Sequence, residues 1–370
     1  MKKEIKFLVT HGIGKQEPYV ILDLFTNGLL KIMIKEEYII SHNIESIDNR
    51  EYTYIKIETE SKIIKIYEYY WAFYRDDDVS LDEAINWFTK GIMTHNTIEK
   101  DDNNDKTQQK ILNKTFNRAR SLAPLIKIIY PFLKNFTQSG LINMIINKIF
   151  NLQFIEYMQN YITDLVIYTS ADTRSKNFNT KNNMINNAIQ AIKDLYSDNS
   201  EIILIGHSLG SALMYDCINK INIESNYNNK SKKLLKSIKG IVTLGSPINK
   251  IRYFFEESSK EEQFIRKQII DSNRCFRSKD RYITSTTAND TLNSEKYTIK
   301  KIDNNTKNIQ WINIYNSYDY ISGKLKDYVI EKSNNIDITE EINTKDLIKA
   351  HDGYWKSDIV YNKIYDEFIA

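Results

Sequence analysis

The stretch Glu201-Ile202-Ile203-Leu204-Ile205-Gly206-His207-Ser208-Leu209-Gly210 changes its periodicity in the middle. Residues 201–205 form a short, apolar, β-branched run that suits a buried strand. From Leu209 to Ile221 (LGSALMYDCINKI) the apolar residues recur at the spacing of a helix packed on a sheet. Gly-x-Ser-x-Gly at a strand-to-helix junction is a nucleophile elbow. That turn is so tight that the serine backbone is strained and the positions two before and two after must lack bulk, hence Gly206 and Gly210. The chain has only 11 glycines in 370 residues, so two of them framing one serine in this context is a specific signal. The helix begins directly behind Ser208, and its first amides point toward any oxyanion that forms there.

A serine needs a general base, and the fold that carries this elbow, the α/β-hydrolase fold, orders its triad as Ser, then Asp or Glu, then His. The five histidines are His11, His42, His95, His207 and His351. The first three precede the serine. His207 is the elbow neighbour, whose side chain is expected to point away from the base position. Only His351 follows Ser208, so elimination makes it the candidate base. The acid must lie between them at the carboxyl end of a strand. Gln310–Tyr315 (QWINIY) reads as a strand, and Asp319 follows in Asn316-Ser317-Tyr318-Asp319. From there it can hold the histidine tautomer that accepts the serine proton. Asp303, Asp337 and the more remote Asp327 compete for the role.

At the other end of the chain, Ile5–Thr10 reads as a strand followed at once by His11-Gly12-Ile13-Gly14. Hydrolases of this fold draw one oxyanion-hole amide from the residue after the nucleophile and another from a His-Gly loop. The expected donors are the amides of Leu209 and Ile13, with Gly12 as the alternative for the second. His11, Gly14, Gly206, His207 and Gly210 form the supporting turns.

The composition is that of a globular protein, with 41% hydrophobic and 27% charged residues. A formal net charge of +3, without a basic cluster interleaved with aromatics, points away from nucleic acid. Cys217 and Cys275 make neither a metal spacing nor a disulfide framework, so neither a metal nor a cofactor is expected. The start, MKKEIKFLVTHGIG, does not read as a signal peptide, and no apolar run has the length of a membrane span. A cytoplasmic location, at most peripheral to a membrane, is expected.

Along the chain, Tyr19–Glu36 reads as an amphipathic helix, and Glu51–Glu58 and Lys62–Tyr70 as strands. Leu81–Ile92 reads as a helix and Asp101–Lys114 as a polar loop. Phe116–Thr163 is helical in pattern and unusually apolar. As an insertion over the site it fits a lid, a membrane-surface docking element, or core helices covering the sheet. Leu165–Tyr168 reads as a short strand followed by a helix to about Leu195. Asn226–Lys236 reads as a lysine-rich loop, Gly240–Leu244 as a strand, and Ser278–Ser294 as a mobile loop. The whole predicts one α/β-hydrolase domain over residues 1–370. Its sheet is doubly wound and mostly parallel, with a helical insertion at about 100–163, before the nucleophile strand.

Six stretches together resemble lipase-like α/β-hydrolases, and among them the intracellular phospholipase A family that carries a DDHD domain. They are HGIG from His11, DLVIYTS from Asp164, GHSLGSALMYD from Gly206, TLGSPI from Thr243, NIYNSYDYI from Asn313 and HDGYWKSD from His351. They occur in that family's order and span nearly the whole chain. Asn-Ser-Tyr-Asp-Tyr-Ile stands where the family has a His-Pro-x-Asp-Pro pattern. The resemblance implies Ser208 as nucleophile, Asp319 as acid and His351 as base, and it also matches Asp358 to a position in the family's C-terminal motif. It implies metal-free hydrolysis of a phospholipid or other acyl ester. An esterase or thioesterase on small soluble substrates is the alternative within chemistry, and a non-catalytic binding protein the alternative outside it.

Overall fold

In the computed structural model of the chain, the described residues are 2–12, 17–74, 164, 167–168, 174, 176–249, 251, 281–287, 296–303, 305–319, 321–325, 328, 330, 332–344 and 346–370. Ten strands are found among them: β1 (Lys3–Thr10), β2 (Ile39–Ile47), β3 (Arg50–Glu58), β4 (Lys62–Tyr69), β5 (Ser200–His207), β6 (Ile238–Leu244), β7 (Arg281–Thr287), β8 (Lys296–Ile302), β9 (Gln310–Tyr315) and β10 (Asn335–Asp337). Eight make one sheet in the order β10-β9-β6-β5-β1-β4-β3-β2, and β7 pairs with β8 in a separate ribbon. From β10 to β4 every pairing is parallel, whereas β3 and β2 add antiparallel at the edge. This is the α/β-hydrolase fold expected from the sequence, with a mostly parallel sheet and helices on both faces.

The alternation within the strands explains the two faces. Leu204 and Ile202 of β5 face one core, with Leu8, Ile241 and Trp311. Ile203 and Ile205 face the other, with Phe7, Val9, Val242 and Ile312. A parallel sheet covered on both sides needs such continuous apolar runs. Helices α1 (Val20–Ile32), α2 (Lys176–Asp194), α3 (Leu209–Ser225), α4 (Asn229–Ser237), α5 (Leu347–Asp352) and α6 (Asp358–Ile364) supply the covers. On the first face lie α2, α3 and α4; on the second, α1 and α6. Each fully buried Ile or Leu contributes about 1.5–3 kcal/mol relative to an exposed one. Among the described residues no helix is long and apolar enough to cross a membrane.

Register then sets out the site. Tyr69, Thr10, Gly206, Thr243 and Asn313 are paired side by side across β4, β1, β5, β6 and β9. All five strands run the same way, so the segments that follow this row emerge on one rim.

Several expectations change. Ile167 and Tyr168 are helical rather than part of a strand. Both flanks of β5 are already taken by β1 and β6, and these residues pack instead into the helical layer, where the Tyr168 hydroxyl donates to Asp216 on α3. A short apolar run cannot by itself distinguish buried helix from strand. The lysine-rich stretch expected to be a loop contains α4: the Asn228 side chain caps it by accepting from the Lys230 amide, and Leu234 and Leu235 are buried. Arg281–Thr287, within the expected loop, is a β-strand paired antiparallel with β8. The edge strand β2 was not anticipated. The segments 81–92, 101–114 and 116–163, with Ile13 and Gly14, lie outside the described residues.

Candidate active site

The elbow forms where β5 ends. Ser208 takes φ 51° and ψ −125°, a conformation an L-residue adopts only under constraint. The constraint is packing: a Cβ on Gly206 would lie 2.5 Å from Gly210 O and from the Ser211 backbone. A Cβ on Gly210 would strike the His11 carbonyl and come within 2.8 Å of Thr10 Cγ2. Glycine at both positions lets α3 start against the ends of β5 and β1. The Ser208 amide donates to Leu244 O at 2.8 Å, and Ser211 Oγ donates to the Ser208 carbonyl and lies 2.8 Å from Ser246 Oγ, whose hydroxyl can donate to it. Ser208 Oγ is fully buried and makes no hydrogen bond among the described residues, His351 included.

Asp319 and His351 meet 32 residues apart in sequence. His351 Nδ1 and Asp319 Oδ2 lie 2.8 Å apart, with the residues 1% and 2% exposed. A carboxylate accepts only, so Nδ1 carries a proton, and in the neutral ring Nε2 is then the accepting nitrogen. The Ile321 amide donates to Asp319 Oδ1 at 2.9 Å, and the Tyr354 hydroxyl to Oδ2 at 2.8 Å. Of the competing acids, Asp337 bonds Ser317 and Thr339, and Asp303 pairs through its backbone with Asn226.

Among the described residues, the two other buried histidines are structural partners of this arrangement. The expectation that His207 points away from the base is corrected: its ring lies 4.8 Å from that of His351, and Nε2–H donates to the His351 carbonyl at 2.8 Å. Burial, and then the neighbouring His351, pull its pKa down to about 3, so it is neutral. His11 accepts the Trp71 amide on Nε2 at 3.0 Å and donates Nδ1–H to Gly12 O at 2.8 Å. Burial lowers its pKa to about 4, although the Gly12 bond opposes this. Trp71 stacks on the ring at 4.6 Å and donates Nε1–H to the His11 carbonyl, clamping the loop that carries Gly12.

Gly12 packs on Ser208, since a Cβ there would lie 2.7 Å from Ser208 Cβ. Leu209 is the first residue of α3, where helical amides have no intrahelical acceptor. A cavity of about 690 Å³ reaches Gly12 and His207, but Ser208, Leu209, Asp319 and His351 are not among its lining residues. Gly12 and His207 line its inner end, Val20, Ile21, Leu24, Ile342 and Trp355 its apolar wall, and Glu341, Lys349, Asp352 and Lys356 its polar part. Asp358 sits apart from Ser208, Asp319 and His351 at the start of α6, its amide donating to Glu341. Tyr354 and Trp71 were not singled out from sequence, because an aromatic in a core-forming segment looks alike whether or not its polar atom is used.

Compared with known families, residues 160–321 match the family described as PGAP1-like alpha/beta domain. The match supports a lipase-like α/β-hydrolase and includes the elbow and Asp319, but neither the His11–Gly12 loop nor His351. No curated protein and no solved structure matches the chain.

Proposed function

We propose that the protein is a serine ester hydrolase with Ser208 as nucleophile, His351 as general base and Asp319 as its orienting acid. The observation that carries this reading is the buried Asp319–His351 hydrogen bond on the same rim as a strained, unbonded serine. In the proposed reaction the serine attacks an ester carbonyl as His351 Nε2 takes its proton. The Leu209 amide, with that of Ile13 or Gly12, receives the oxyanion. His351 then protonates the leaving alcohol, and a water activated by the same base releases the acid. The serine–histidine bond forms on substrate binding, as catalytic hydrogen bonds commonly tighten in the complex. The whole chain acts as one domain in this reading.

A lipid or other ester with an apolar part is in line with the resemblance to DDHD phospholipases and with the apolar residues of the neighbouring cavity, which reaches Gly12 and His207 but neither Ser208 nor His351. The cavity's charged residues favour the second reading, a small soluble ester or thioester. Peripheral membrane contact through residues 116–163 and a cytoplasmic location belong to the proposal and rest on sequence alone. A panel of esters from short acyl chains to phospholipid vesicles tests it. Turnover by the wild type and none by Ser208→Ala is expected. Equal turnover by both, or none by either across the panel, overturns it.

A further inference from the structure

We propose that Tyr354 is a positioning residue: by sharing Asp319 Oδ2 with His351 it sets the pH range in which His351 accepts a proton. This inference rests on the reading of His351 as the base. Phenylalanine would fill the same apolar space, yet the chain buries a hydroxyl with three partners. Tyr354 OH lies 2.8 Å from Asp319 Oδ2, 2.9 Å from the Asn316 amide and 2.9 Å from Ser322 Oγ. Its one proton is assigned by elimination. The carboxylate can only accept, so the tyrosine donates there. The Asn316 N–H can only donate, so the phenol oxygen accepts it. Ser322 then donates as well, and two donors on the phenol oxygen strengthen the O–H toward Asp319. Burial, followed by the Asp319 charge, pushes the Tyr354 pKa well above the ordinary tyrosine value, which keeps the proton on the phenol.

The consequence follows from competition for one oxygen. Asp319 Oδ1 is held by the Ile321 amide, so Tyr354 and His351 share the remaining oxygen. A carboxylate already stabilised by a phenol attracts an imidazolium less, which favours neutral His351, the form that can take the serine proton. The cluster is close-built: on Gly245, at φ +59°, a Cβ would lie 2.7 Å from Tyr354 Cε2 and 3.3 Å from both Asp319 Oδ2 and His351 Cε1. Among the described residues, His207 and Asp352 are further titratable groups that act on the pair. His11 acts on His207, and Lys356 and Asp346 act on Asp352. His207 and His11 stay neutral through the range in question.

The test is a pH titration of His351 by NMR, with the resonance assigned through His351→Asn, in parallel with a kcat/KM–pH profile. In Tyr354→Phe both the titration midpoint and the acid limb are expected to move up by about 0.5–1 unit. Ser322→Ala keeps the phenol and removes one donor to it; it should shift both the same way by less, and it serves if Tyr354→Phe does not fold. Unchanged midpoints in a folded Tyr354→Phe would mean the tyrosine only packs, and would overturn the proposal. A shifted NMR midpoint in a protein that hydrolyses nothing would uphold this coupling and remove the hydrolase reading instead.

Discussion

The proposed nucleophile half of the site and the proposed acid–base half are held by different means. At the elbow the backbone does the work: Ser208 is forced to φ 51° between glycines whose missing side chains leave room for α3 against β1 and β5. Around Asp319 and His351 side chains do most of the work: the His351 ring and the Tyr354 hydroxyl meet one carboxylate oxygen, and a single backbone amide, that of Ile321, holds the other. Backbone constraint restricts which residues fit and so leaves a mark in sequence. Side-chain networks assemble from distant positions and leave little. The contrast predicts that substitutions in the acid–base half cost activity, and those in the elbow's frame cost stability.

The largest effect is expected at Asp319→Asn. It keeps the shape but favours the wrong histidine tautomer, so kcat should fall by about 10³–10⁴-fold with the fold intact by circular dichroism. A loss of less than tenfold would break the contrast on its acid–base side. Next comes Gly206→Ala, whose Cβ would meet backbone atoms at 2.5 Å that cannot rotate away. Destabilisation of about 2–3 kcal/mol is expected in urea titrations; a wild-type midpoint would mean the elbow is less constrained than its geometry implies.

Acid should act on the histidines that tie the halves together. His11 and His207 are held neutral, at about 4 and about 3, against an ordinary 6.5. The unfolded chain therefore takes up protons first as the pH falls. Their contribution is complete above about 6.5 and is lost as pH drops through about 4 and then about 3, on the order of 3 kcal/mol for His11. Thermal midpoints between pH 7 and pH 4 should decline accordingly. A His11→Gln variant, weaker at pH 7, should lose less over that range, and an equal loss would remove His11 from the account. The smallest effect is expected at Gly323→Ala on the acid-side loop, where an added Cβ meets nothing within 4 Å. Stability should stay within about 0.5 kcal/mol, and a larger loss would show that this loop too is governed by its backbone.

The same contrast explains how much was legible in the sequence. Strand β5, the elbow and α3 could be read because Gly206 and Gly210 answer to backbone geometry. The meeting of Asp319 with His351 was reachable through chain order, with several acids in competition. The hydrogen bonds of Tyr354, Trp71 and His207 were not reachable, since their partners lie 35, 60 and 144 residues away. Nor was the helix at Asn229–Ser237, where seven polar positions around Leu234 and Leu235 mask a two-residue apolar contact. Strand β2 escaped because it is a half-exposed edge, with Ile39, Ile40 and Ile44 open to solvent.

The most direct test of the central claim is intact-protein mass spectrometry after exposure to a fluorophosphonate, with peptide mapping of the adduct. The account predicts one phosphonyl group on Ser208 of the wild type, none on Ser208→Ala, and greatly slowed modification of His351→Ala. An adduct on another residue, or no adduct on a folded wild type with and without lipid vesicles, would contradict it.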